Sequence, residues 1–266
     1  AMIEASVRGI GFWAPGVSDW TQAQALIAAT QPWPEPTTIR PAPAMMPANE
    51  RRRAPDSVLL ALTVADQACT QAGADRACLA SVFASAYGDL AINDYMCATL
   101  ADEPTALSPT KFHNSVHNAP SGYWSIATGA MAPTTAVAGY RDSFAMGLLE
   151  ATTQMRESGQ SILLVAYDVA GVGPMAEIVC CAVPFGCAFL LDRADDQNSR
   201  AHLKIEVRDG LTPPSSPAHP GLAALAASNP TALGAGALLQ ALAVPASQQL
   251  ALPLTPALHL AIQIQS

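Results

Sequence analysis

Ser143 opens a helix four residues after Gly139, at the end of a short Thr/Val-rich run. A strand that feeds a helix through a tight turn is the usual way to present a nucleophile at a helix N-terminus. The partial positive charge there favours an anionic oxygen or sulfur. The turn here reads Gly139-Tyr140-Arg141-Asp142-Ser143-Phe144 and holds no cysteine. Ser143 is therefore the one hydroxyl placed for acyl chemistry, with His113 or His117 as base and Asp142 as acid. That triad would make a serine acyltransferase or thioesterase. No GxSxG elbow surrounds Ser143, and a serine at this point serves equally well as a helix N-cap.

The elements that must position this turn are readable on either side. Thr134, Thr135, Ala136, Val137 and Ala138 form the strand candidate, since Thr and Val favour a pleated, buried setting. Ser143 to Met155 repeats Phe144, Leu148 and Met155 at helical spacing. His113 and His117, four apart, would share one helix face. Without a third ligand a hydrogen-bonded or interface role outweighs metal binding.

The wider stretch carries Ser108-Pro109, Asn114-Ser115, Asn118, Ser121-Gly122, Ser125-Ile126, Gly129, Pro133, Ala136-Val137 and Ala145-Met146-Gly147-Leu148. On these pieces residues 108–151 resemble the N-terminal half of a β-ketoacyl synthase, the thiolase-fold condensing enzyme. The opening VRGIG and the later PFGCAFLLD extend the likeness over residues 3–210. The form SVHNAPSGYWSIATG resembles the cysteine-less, chain-length-factor-like subunits of aryl polyene pigment clusters. In condensing enzymes the turn carries the active-site cysteine. Aligning from the strand side puts Arg141 there, and aligning from the helix side puts Phe144 there.

The resemblance implies an α/β thiolase-like half-fold, a mixed sheet covered by helices and truncated relative to a complete ketosynthase. The residues after Arg208 are too few for a second sheet layer, and His219 and His259 lack the Gly/Thr-rich setting of the family's catalytic histidines. It implies one domain over 1–266, with a family-like core (1–210) and a tail of loop, helix and final strand. It implies a non-catalytic, cofactor-free and metal-free subunit, partnered by a cysteine-bearing ketosynthase and an acyl carrier protein. Strand 134–138, with His113 and His117, would meet the partner; Tyr140 to Phe144 would close the acyl tunnel. Arg51-Arg52-Arg53, the densest basic cluster, would receive an acidic carrier, or simply be a solvated helix start. A homodimeric carrier-binding scaffold is the other reading the resemblance allows.

Composition narrows the classes. The net charge of −8 argues against nucleic acid. No apolar run spans a membrane, and no signal peptide opens the chain. The six cysteines lack CxxC spacing and read as reduced, mostly buried thiols of a cytoplasmic protein. With half its residues apolar and only 13% charged, either much of the surface is covered by a partner or the chain is simply an Ala- and Pro-rich protein from a high-GC genome. Further along, Ile3–Phe12, Leu79–Ser85, Ser161–Tyr167 and the apolar runs within 178–193 read as strands. Thr21–Thr30, Asp56–Ala72, Asp89–Leu100 (its Tyr95, Met96 and Cys97 as core) and Ala232–Ala243 read as helices. Asp192–Ser199 reads as a polar turn and Leu211–Pro220 as a loop. His202–Arg208 reads as an edge or half-buried strand, and Leu258–Gln265 as its antiparallel partner.

Overall fold

A computed structural model describes residues 2–37, 39–193 and 199–265. The chain opens with strand β1 (Met2–Trp13), followed by helices α1 (Trp20–Ala28), α2 (Ala48–Arg53) and α3 (Asp56–Ala72). Helix α3 ends where Gly73 turns left-handed, φ 63°. It lies so close to β1 that a Cβ on Gly9 would stand 2.0 Å from the Ala68 carbonyl oxygen, and one on Gly11 1.9 Å from that of Val64. The two glycines of VRGIG exist for this contact. Gln71 and Gln67 of α3 also accept the Ile10 and Phe12 backbone N–H groups, each at 2.8 Å. Strand pairing on that side of β1 stops at Val7, so the glutamines satisfy donors that would otherwise be buried unpaired.

Next come β2 (Ala80–Ala84), α4 (Leu90–Asp102), α5 (Pro109–His113), α6 (Ala119–Thr128), β3 (Thr134–Val137), α7 (Ser143–Ser158), β4 (Ile162–Asp168) and β5 (Phe185–Asp192). The chain closes with β6 (Ala201–Asp209), α8 (Pro220–Ser228), α9 (Pro230–Ala243), β7 (Gln248–Thr255) and β8 (Leu258–Gln265). All eight strands join one mixed sheet, ordered β3-β2-β4-β5-β1-β6-β8-β7. This is the expected α/β half-fold. β4 is buried along its whole length because both faces are covered. Its Leu163, Val165 and Tyr167 meet α3, while Ile162, Leu164 and Ala166 pack with α7 and α9.

The expected pairing of the last strand is present, with Leu203 opposite Ile264 and Val207 opposite Leu260. Because β6 also pairs with β1, it is half-buried but interior rather than an edge. The tail is richer than a loop, helix and strand, since α8 and β7 are additional. Ala232, Leu238, Leu252 and Leu254 from this tail bury against Phe144 and Leu148 of α7.

Several local expectations need correction. Residues 178–184 are not a strand: a short 3-10 turn over Gly173–Glu177 precedes them, Cys180 is exposed, and Cys181 is buried outside any strand. Only Cys69, Cys181 and Cys187 are buried, so the thiols are half buried rather than mostly so. Tyr95, Met96 and Cys97 lie on the outer part of α4, which buries only Leu90 and Ile92. The turn expected over Asp192–Ser199 falls largely outside the described residues. Among those described, no helix is long and apolar enough to cross a membrane.

The β1–α3 contact has a measurable consequence. Gly11→Ala should cost roughly 2–3 kcal/mol in denaturant unfolding, because backbone rather than a movable side chain blocks the methyl group. Gly122→Ala, on an exposed helical site with no atom within 4 Å of its Cβ position, should gain about 0.5–1 kcal/mol.

Candidate functional site

β2, β3 and β4 run parallel, and β1 shares their direction because β1 and β4 are both antiparallel to β5. Their C-terminal ends therefore form one rim, and the strand–turn–helix corner stands on it. Tyr140–Asp142 make a single 3-10 turn between β3 and α7. Tyr140 carries the strain of the corner, with φ 53°, in the left-handed region that a bulky residue rarely adopts. Its ring is 60% exposed and meets Tyr87 edge-on, centroids 5.8 Å apart.

The corner holds itself shut. The Ser143 hydroxyl donates to the Tyr140 carbonyl at 2.7 Å and accepts the Gly139 N–H at 2.9 Å. Ser143 is buried and is the first residue of α7, so it is neither the N-cap nor a free nucleophile. The N-cap is Asp142, whose half-buried carboxyl is pushed up by burial and lowered by Arg141. A Cβ on Gly139 would lie 2.3 Å from the Met146 Sδ, so sulfur already fills the side-chain space at the end of the strand. Phe144, expected in the outward-facing group, is instead core: it meets Phe189 edge-on with centroids 5.9 Å apart, and Gly234 of α9 lies against its Cβ. Tyr140 and Arg141 are what the turn presents to solvent.

The histidines do not join this site as a pair. α5 stops at His113, which is exposed, and His117 lies beyond its end. His117 Nε2 donates to the Ser85 carbonyl at 3.0 Å, a structural bond that holds the loop after β2. Neither imidazole is a hydrogen-bond partner of Ser143. The three buried thiols are equally unsuited to attack, since burial pushes Cys69 and Cys181 up to about 12 and Cys187 still higher.

β3 is the edge strand of the sheet, with Thr134 and Ala136 exposed and Thr135 and Val137 half-buried. Ala138 follows it, exposed. Near this edge, around α6, stand two large apolar side chains, Ile126 (84% exposed) and Met131 (94%). Arg51, Arg52 and Arg53 form the last turn of α2, not a helix start. Arg51 donates to the Pro43 carbonyl at 3.2 Å, while Arg52 and Arg53 are exposed.

Beneath the rim lies a group whose role the sequence reading missed. Asp168 ends β4 fully buried. Its Oδ1 accepts the Ser85 hydroxyl at 2.8 Å and the N–H groups of Ala86 (2.9 Å) and Tyr87 (3.2 Å), and its Oδ2 accepts the Thr231 hydroxyl at 2.7 Å. Asn229 caps α9 and donates to the Asp168 and Val183 carbonyls at 3.0 and 2.8 Å. An acid closing an apolar strand, SILLVAYD, was the available signal. Burial raises Asp168 from 3.8 to about 6, outweighing the hydrogen bonds from Thr231, Ser85, Tyr87 and Ala86. Because the folded value is raised, its contribution is full below the unfolded value and is lost as pH climbs through about 6. Between about pH 4 and 6 the protein should lose on the order of 2 kcal/mol relative to Asp168→Asn, whose stability lacks this slope. Asp168→Ala should cost roughly 3 kcal/mol near pH 4 in unfolding measurements, by orphaning buried donors, and about 2 kcal/mol less above pH 6, because it too lacks the slope.

Comparison with known proteins fits this geometry. Residues 18–236 match the family described as Beta-ketoacyl synthase, N-terminal domain. No curated protein matches the chain. A structure of the ketosynthase ApeO in complex with its chain length factor ApeC from Xenorhabdus doucetiae aligns with TM-score 0.70 and 21% identity, over 97% of this chain and 98% of the matched chain. AntDE:AntF, a type II polyketide synthase acyl-carrier protein in complex with its ketosynthase bound to the hexaketide, aligns with TM-score 0.74 and 10% identity, over 100% and 99%. The ketosynthase from module 1 of the bacillaene synthase of Bacillus amyloliquefaciens aligns with TM-score 0.58 and 16% identity, over 85% of this chain but 50% of its own. At these identities the structural likeness speaks for the fold; the match over residues 18–236 speaks for descent, and the chain belongs to the β-ketoacyl synthase N-terminal domain family.

Proposed function

We propose that this chain is a non-catalytic, chain-length-factor-like subunit that pairs with a cysteine-bearing ketosynthase elongating a carrier-bound polyene or fatty acyl chain in the cytoplasm. The carrying observation is the corner itself: the scaffold for a nucleophile is intact, yet Met146 fills the side-chain space at Gly139 and Ser143 is consumed by the turn. Similarity to a chain of a ketosynthase–chain length factor complex over nearly the full length of both supports the same reading.

Docking would use the free β3 edge, from Thr134 to Ala138, with Ile126 and Met131 as apolar anchors and His113 and Phe112 at the margin, all exposed or half-exposed. An unpaired parallel edge flanked by apolar side chains is a template for extending the sheet into a second subunit. Tyr140 and Arg141 would then face the partner's acyl tunnel. The Tyr140 ring, braced on Tyr87, is the natural stop for a growing chain; Phe144 contributes only by supporting the corner from below. Arg51–Arg53 offer positive charge for an acidic carrier.

Co-expression with a cysteine-bearing ketosynthase and carrier protein should yield a stoichiometric heterodimer. Ile126→Asp with Met131→Asp should weaken it at least tenfold, about 1.4 kcal/mol. Tyr140→Ala should lengthen the products by mass spectrometry without breaking the pair. A complex with unchanged products would reduce the turn to packing. A stable homodimer that ignores the ketosynthase would replace this reading with the symmetric scaffold.

A further inference from the structure

We propose that a cleft on the opposite face of the sheet from α7 binds a fatty carboxylate, an unbranched alkyl chain with one anionic head. The cleft has a volume of about 690 Å³, within the usual span of small-molecule sites. Its buried floor is Trp13, Leu60, Ile92 and Val169. Three of these belong to the core cluster under α3, whereas the turn at Ser143 sits over the cluster of α7, so the cleft is separate from the corner described above.

The rim is cationic. Arg40, Arg52, Arg53 and Lys111 line it and are exposed, against the carboxylates of Asp56 and Asp89. Both acids are engaged: Asp56 by Arg40, and Asp89 by the Ser57 hydroxyl (2.8 Å) and the Ile92 N–H (3.0 Å). Arg52 reaches only Asn49, Lys111 stands 5.6 Å over the Tyr95 ring, and Arg53 has no partner among the described residues. In a chain of net charge −8, a cleft with surplus positive charge is a local exception, and a concave low-dielectric wall focuses that field. Apolar floor and cationic rim together select an amphiphile: the tail removes apolar surface from water while Arg53 and Arg52 receive the head. A wholly polar ligand would leave the floor uncovered, and a neutral one would leave the cations unused.

Isothermal titration of the whole chain with dodecanoate, below its micelle concentration, tests this. One saturable site is expected, weakened at least tenfold by Arg52→Glu with Arg53→Glu and by raised salt. Dodecanol should bind at least tenfold more weakly than dodecanoate. Ala91→Trp, a change at an exposed lining position, should abolish binding by filling the entrance, with circular dichroism showing the fold retained. No dodecanoate binding, or equal binding by the double arginine variant, overturns the proposal. So does binding of 4′-phosphopantetheine in place of dodecanoate, which would make the cleft a seat for a carrier's arm. None of these readouts depends on pairing with a ketosynthase.

Discussion

Taking a carboxylate out of water costs several kcal/mol unless donors replace the solvent, and the end of β4 is built to supply them. Four hydrogen bonds converge on Asp168 from two separate parts of the chain, the loop after β2 and the start of α9. That loop carries Tyr87, on which Tyr140 rests, and α9 carries Gly234, against which Phe144 packs. The position of the corner thus follows from one buried charge. Asn229 reinforces the same junction, capping α9 while bonding the last carbonyl of β4. A network of this kind is stabilising only when every member is satisfied, and here the carboxylate oxygens are.

The second constraint is the cover of α7. A helix with buried residues from Ser143 to Met155 needs apolar surface on more than one side. The sheet covers one side through Ala84 and Leu164, both close to Gly147. The tail covers the other, through α9 and the inward side chains of β7. A single eight-stranded sheet can therefore hold the corner in place without a second sheet layer, because about fifty residues of helix and hairpin substitute for one.

The sequence showed the parts of the fold that rest on periodicity and punctuation. α3, opened after Pro55 and closed by Gly73, and the final strand with its partner are set by patterns a reader can count. α8 was hidden because PGLAALAAS is so uniformly small and apolar that no face stands out, and the structure buries only Gly221, Leu222 and Leu225. β7 was hidden by Pro253, which a central strand would exclude; at the sheet's outer edge its missing N–H faces no neighbour. At the site, the absent cysteine was plain from residue types. Which residue points outward was not, since Phe144 and Tyr140 are equally bulky in one dimension. Only the left-handed backbone at Tyr140 and the close approach of α9 send one ring out and the other in.

The same geometry explains why the lack of a nucleophile is a property of the corner rather than of one letter. Restoring a side chain at Gly139 would require Met146 to leave, and Met146 packs on the core cluster beneath α7. Freeing Ser143 would break both bonds that close the turn and leave the Gly139 N–H without its acceptor. Asp142 stands at the N-cap position of α7, but its side chain makes no capping hydrogen bond. A corner so filled and bonded is suited to holding a surface shape.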